Sequence, residues 1–255
     1  MMFFPVIIQA RMGSSRLPRK ILMKHNGISM LALMLGRLKR LNCLKPIIIA
    51  TTKNKKGKKI INFCKKNRIK YFIGPEKNVL KRYYLASKKY KLNKVIRLTS
   101  DCPLIDIKII RKLIKIFKTN KFDFVSNSVP PPSSFPDGSD AEIFSYKTLE
   151  KTFFNAKLPS EKEHVTFYMW KSKKFKIFKL KNKYNYSNYR YSLDYYDDFR
   201  LLMKIIEYFK DKIYTCDTNQ IVRYLRKNKN LVKYQKKIDR YGGWNPSLKK
   251  DKKFK

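Results

Sequence analysis

Short apolar runs of strand length alternate with stretches whose apolar side chains recur every three or four residues, and this alternation constrains the fold more than any other feature. Phe4–Gln9, Ile47–Thr51, Ile69–Ile73, Val95–Leu98 and Phe122–Ser126 read as strands buried on both faces. Between them, the segment from Ser29 puts Met30, Met34, Leu38 and Leu41 on one helical face, and the segment from Ile107 does the same with Ile110, Leu113, Ile114 and Phe117. Such an order predicts right-handed crossovers and a mostly parallel sheet covered on both sides, a three-layer α/β domain.

A Pro-rich stretch, Val129-Pro-Pro-Pro-Ser-Ser-Phe-Pro-Asp-Gly138, breaks the pattern and leads into a lid or small subdomain. Beyond it Ala141–Ser145 and Tyr189–Leu193 read as strands, and Asp198–Phe209 as a helix with Phe199, Leu202, Met203 and Ile206 inward. The expected organisation is one domain over 1–241, with a core over 1–128 and a lid or acceptor region over 129–190 inserted before the final strand and helices. A basic tail, 242–255, is expected to fray.

With 255 residues and 43% hydrophobic content the chain can bury a substantial core, which argues against disorder. Its net charge of +43 invites a polyanion partner. Lysine greatly outnumbers arginine, however, and Ile, Asn, Tyr and Phe are abundant, the residue set of A/T-rich codons. The charge is therefore read as a solvated face, with nucleic-acid binding the minority alternative and no specific nucleic acid expected. Cys43, Cys64, Cys102 and Cys216 stand apart without a Cys-x-x-Cys pair, which supports neither a disulfide framework nor a zinc site and suits a reducing cytoplasm. The opening Met1–Ile8 lacks a basic leader and is too short to span a bilayer, so it reads as the first strand.

Ligands of parallel α/β sheets bind at the carboxyl ends of strands. That rule selects three loops, the one after the first strand, Ala50-Thr51-Thr52 after the second and Thr99-Ser100-Asp101-Cys102-Pro103 after the fourth, which should meet at one crevice. The first loop, Gln9-Ala-Arg-Met-Gly-Ser-Ser-Arg-Leu-Pro-Arg-Lys20, gathers scarce arginine around a glycine and two hydroxyls. Gly13 would let backbone N–H groups approach phosphate oxygens, Ser14 and Ser15 would add donors, and Arg11, Arg16, Arg19 and Lys20 would neutralise a triphosphate. It is neither a Walker loop nor a Gly-x-Gly-x-x-Gly turn.

Asp101 ends a strand, where a carboxylate either holds Mg²⁺ against substrate phosphates or caps the helix beyond Pro103. Asp194 is the candidate partner, with one metal ion bridging the two, and Asp197 and Asp198 open the next helix. Asp137, Asp140 and Glu142 would orient sugar hydroxyls or terminate a turn. His164 follows a Ser160/Glu163 pair of capping-box type and is either a substrate contact or unexplained.

These residues resemble the cytidylyltransferase family of spore coat polysaccharide biosynthesis proteins, related to the enzymes that activate 3-deoxy-manno-octulosonate and acylneuraminate. The likeness runs through Ile7-Ile-Gln-Ala-Arg-Met-Gly-Ser-Ser-Arg-Leu-Pro18, Asn78-Val-Leu-Lys-Arg-Tyr-Tyr84, Arg97-Leu-Thr-Ser-Asp-Cys-Pro-Leu-Ile-Asp106, Phe135-Pro-Asp-Gly-Ser-Asp-Ala-Glu-Ile-Phe144 and Glu163-His-Val-Thr166. It implies a Rossmann-like nucleotidyltransferase fold, a cytoplasmic enzyme transferring CMP from CTP to a sugar acid, and a Mg²⁺ cofactor; a homodimer is compatible with it. Arg11, Ser14, Ser15 and Lys20 would contact the CTP phosphates, Asp101 and Asp194 the Mg²⁺, and Thr51, Asn78 and Arg82 the nucleoside; Arg11, Lys20 and Asp101 would carry catalysis. Three departures stand out: Arg19 replaces a glycine, Phe167 a proline, and Tyr195-Tyr196 a Thr-Pro. A glycosyltransferase using a nucleotide-sugar on the same scaffold is the alternative reading.

Overall fold

The computed structural model describes residues 2–14, 16–54, 57–231 and 238–254. A seven-stranded sheet has β1 (Val6–Gln9) near its centre, β4 (Ile47–Thr52) and β5 (Lys70–Gly74) on one side, and β6 (Lys94–Thr99) on the other. These four strands are parallel, and β1 holds register with both neighbours, Ile7 opposite Ile48 and Arg97. The sheet continues through β8 (Glu142–Ser145), antiparallel to β6, then β7 (Phe124–Ser126) and β9 (Ile177–Lys179). A short hairpin, β2 (Lys24–His25) and β3 (Ile28–Ser29), precedes the first helix.

Alternation along buried strands explains the layers. Val6 and Ile8 face one core with α1 (Met30–Lys39), α2 (Lys58–Lys66) and α4 (Ile107–Phe117), whereas Ile7 faces the other with α3 (Val79–Lys89) and α5 (Tyr146–Asn155). Each buried Leu or Ile contributes roughly 1.5–3 kcal/mol, so neither face tolerates a polar substitution well. A third cluster joins α1 to α8 (Tyr196–Phe209) and α9 (Thr218–Lys227). The three-layer, mostly parallel architecture expected from the alternation is the one observed.

Caps define where several helices start. Ser29 Oγ accepts from Ala32 N and Asn78 Oδ1 from Lys81 N. Asp106 caps α4 through Lys108 N at 2.7 Å and also accepts from Thr218 N, which ties the start of α9 to the start of α4.

Four sequence expectations are corrected. Among the described residues Tyr189–Leu193 forms no strand, only a bridge between Arg190 and Asp137, and Arg190 turns into a charged cluster with Asp137, Asp194 and Asp198. Ser160 lies inside α6 (Pro159–Glu163) and does not cap it; Glu161 reaches back to accept from Lys157 N and Leu158 N. In α8 the deepest positions are Phe199, Leu201, Leu202 and Ile205, while Met203 and Ile206 are only partly buried. The final residues do not fray: α10 (Asn245–Asp251) docks on α6, with Asp251 buried against Ser160.

Candidate active site

Strands β4 and β5 leave β1 in one direction and β6 in the other, which makes β1/β6 the switch point of the sheet. The loops leaving these two strands border a cleft of about 1080 Å³. Of the residues singled out in the sequence, Arg11, Ser14, Arg16, Lys20, Asn78, Arg82, Asp101, Asp137, Asp140, Glu142, His164 and Asp194 line it. Thr51 does not: Ala50–Thr52 belong to β4, and the Thr51 hydroxyl is buried without a partner among the described residues. The predicted three-loop crevice is corrected accordingly. Gly13 stays exposed outside the cleft lining, and Ser15 lies outside the described residues.

The loop after β1 closes on itself where Ser14 Oγ accepts from Leu17 N at 3.3 Å. Arg19 then adopts φ 62°, ψ 11°, the left-handed region that glycine occupies without cost. This turn drives Lys20 inward to 9% exposure. Its ammonium lies 2.8 Å from Asp194 Oδ1 and 3.5 Å from Asp101 Oδ2. Burial alone would lower the Lys20 pKa, but the two carboxylates raise it, so the side chain is a firm cation.

Asp101 is not a helix cap, since Asp106 fills that position. It accepts instead from Lys20, and its carbonyl accepts from Leu193 N, which holds the 190–194 segment against the β6 loop. Asp194 collects three cations: Lys20, Arg16 at 2.7 Å and Arg190 at 2.8 Å. Burial would raise its pKa, yet Lys20, Arg190 and Arg16 together hold it well below the usual carboxylate range. Arg16 also lies 5.1 Å over the Tyr195 ring, so the departure at this position has a partner in the loop.

Arg190 was not anticipated from sequence. It binds Asp137, Asp194 and Asp198, and Asp198 in turn accepts from Asp194 N and Tyr195 N. Gly138 permits this meeting: at φ 106° a Cβ there would stand 2.5 Å from Ser192 N. Glu142 pairs with Arg97 at 2.9 Å and Asp140 with Arg240 at 2.8 Å. The acids expected to orient sugar hydroxyls are thus each engaged by an arginine.

The C-terminal segment supplies the remaining wall. His164 Nε2 is 2.8 Å from Ser247 Oγ, its ring stacks on Phe167 at 4.6 Å, and Trp244 packs edge-on against Phe167 at 4.8 Å. Phe167 therefore joins the aromatic wall. Burial first, then nearby Arg97 and Lys171, push the His164 pKa down to about 4. Tyr241, Trp244, Lys250 and Phe254 also line the cleft. No spacing signal ties this segment to the loops; only the fold brings them together.

Among the described residues no group of three or more His, Cys, Asp or Glu side chains is placed to hold a metal, and no helix is long and apolar enough to cross a membrane.

A basic loop and two carboxylates at the switch point of a mostly parallel α/β sheet define a nucleotidyltransferase. The chain belongs to the cytidylyltransferase family, whose profile matches residues 5–245. It is 36% identical over 228 residues to an uncharacterised protein of Methanocaldococcus jannaschii, covering 88% of this chain and 91% of that one. It is 27% identical over 170 residues to the spore coat polysaccharide biosynthesis protein SpsF of Bacillus subtilis, covering 64% and 68%. A cytidylyltransferase structure from Leptospira borgpetersenii superposes with a TM-score of 0.85 at 33% identity, covering 91% of this chain and 97% of that one. The CMP:2-keto-3-deoxy-manno-octonic acid synthetase complexed with CTP shares the fold, with a TM-score of 0.60 at 14% identity over 81% of this chain and 99% of its own.

Proposed function

We propose that the protein transfers CMP from CTP to a sugar acid, with release of pyrophosphate, in the synthesis of a surface polysaccharide. The observation that carries this reading is the convergence of Lys20 on Asp101 and Asp194, partners 81 and 174 residues away, at the mouth of the phosphate-type loop. The family membership and the polysaccharide role in the name of the Bacillus subtilis relative support it.

In this scheme Arg11, Ser14, Arg16 and Lys20 receive the triphosphate, while Asn78 and Arg82 border the nucleoside. Asn78 engages its oxygen with Lys81 N, and among the described residues its amide nitrogen and the Nε of the buried Arg82 have no partner. Asp101 and Asp194 would hold Mg²⁺. Their fit follows from Lys20: both carboxylates already address a single cation, and two carboxylates completed by phosphate oxygens are a donor set this ion accepts. Bound there, Mg²⁺ would supply neutralisation of phosphate charge.

The acceptor hydroxyl attacks the α-phosphorus in line, forming the new P–O bond as the bond to pyrophosphate breaks and giving up its proton to solvent, with no covalent enzyme intermediate. The chain's work is positioning and charge neutralisation, with Lys20 and the loop arginines on the departing pyrophosphate. Among the described residues Arg11, Lys77, Arg82, Lys162 and Lys250 line the cleft without an ion-pair partner, against Glu76, Glu163 and Asp239 as acids without one. That excess of free positive charge, beside the Tyr241 and Trp244 rings, suits an anionic sugar.

The test is calorimetry with CTP, UTP, GTP and ATP plus Mg²⁺, followed by pyrophosphate release with 3-deoxy-manno-octulosonate and N-acetylneuraminate. CTP should bind in preference to the others and a sugar acid should trigger release. Failure to bind any triphosphate would sink the reading, and preference for a nucleotide-sugar over CTP would replace it with glycosyl transfer.

A further inference from the structure

Lys20 and Asp194 set up a competition inside the site. Lys20 is buried, and its ammonium occupies the position on which Asp194 and Asp101 both converge, at 2.8 and 3.5 Å. Arg16 takes the same Asp194 oxygen at 2.7 Å and Arg190 takes the other at 2.8 Å. A divalent cation entering between the two carboxylates would meet a positive charge within contact distance, carried on a largely buried side chain.

We propose that Lys20 is an internal cation that holds the Asp101–Asp194 position until a triphosphate draws it away, so that this protein binds divalent metal only together with nucleotide. The inference rests on the metal and CTP assignments made above. Lysine suits the task because its ammonium is a compact point charge on a flexible four-carbon stem, able to exchange a carboxylate partner for a phosphate oxygen without movement of the backbone. The backbone is held in place: Lys20 opens a short turn in which Met23 N donates to its carbonyl, directly after the left-handed Arg19. Arg16, with its side chain 41% exposed, leaves Asp194 by the same exchange and delivers a second charge to the phosphates. Arg190 stays, because Asp137 and Asp198 also hold it. Asp194 thereby passes from an internal ion pair to a metal ligand in one exchange of partners.

The experiment is titration of Mn²⁺, read from the electron paramagnetic resonance signal of the free ion, with and without CTP. The proteins are the full chain, Lys20→Gln, Lys20→Arg and the double variant Lys20→Gln/Asp194→Asn. The unaltered protein should take up Mn²⁺ weakly alone and at least about tenfold more tightly with CTP, a coupling of ordinary allosteric size. Lys20→Gln should bind Mn²⁺ alone about tenfold more tightly than the unaltered protein, because the competing charge is gone. The double variant should lose that gain, and Lys20→Arg, which keeps the charge, should not show it. Equal Mn²⁺ affinity of the unaltered protein and Lys20→Gln, or a gain of the same size in Lys20→Arg, would overturn the proposal. If the unaltered protein bound no CTP while Lys20→Gln still gained Mn²⁺, the nucleotide assignment would fail and the cation position would stand.

Discussion

Asp251 accepts hydrogen bonds from both the backbone N–H of Ser160, at 2.9 Å, and its hydroxyl, at 2.5 Å, across 91 residues of sequence. This clasp fixes α10 on α6 and, through Ser247, the ring of His164. Helix α10 falls almost wholly beyond residues 5–245, the range matched by the family profile.

Asp251→Ala should cost roughly 2–4 kcal/mol in denaturant unfolding, since it strands the Ser160 donors in a buried place. Its second effect should be selective: a severalfold higher KM for the sugar acid with CTP affinity unchanged. Equal weakening of both ligands would show that the C-terminal wall does not serve the acceptor alone.

Asp101→Asn and Asp194→Asn should each lower kcat for pyrophosphate release by roughly 10²–10³-fold, the scale of removing one preorganised electrostatic contact. Asp194→Asn should also destabilise the fold, because Arg190 and Lys20 lose a common partner. Near-normal turnover in either variant would exclude the two-carboxylate arrangement.

His164 gives stability a defined pH dependence. Its pKa is depressed from 6.5 unfolded to about 4 folded, so its contribution is fully present above about 6.5 and is lost as pH falls toward 4. The loss is at most on the order of 3 kcal/mol. Asp194, also depressed, contributes above its ordinary value of 3.8 and fades only in more acid solution, which separates the two windows. Urea unfolding of His164→Gln from pH 4 to 7 should show a flatter profile than the unaltered protein; an unchanged slope would mean that another group titrates there.

Arg19 occupies a left-handed backbone conformation that costs a non-glycine residue about 1–2 kcal/mol. Arg19→Gly should therefore hold or raise the melting temperature despite the added freedom of the unfolded chain. A clear drop, measured by thermal unfolding at matched pH, would mean that the Arg19 side chain makes a contribution larger than the backbone cost.

The sequence by itself determined the layered sheet, its first four parallel strands and the two loops that end β1 and β6, because burial on both faces writes continuous apolar runs and a phosphate-type loop concentrates arginine where the chain otherwise uses lysine. It also placed Asp101 and Asp194, since acids are scarce in a chain of net charge +43. Only the tertiary structure decided that Lys20 stands between those two carboxylates, that Arg190, Arg97 and Arg240 engage Asp137, Glu142 and Asp140, and that Thr51 is sealed within its strand. It likewise turned a lysine-rich end into a docked helix through Ser160 and Asp251. These contacts join positions tens to nearly two hundred residues apart, and hydrophobic periodicity, which reports only which face of a single element is buried, holds no information about which charges meet across elements.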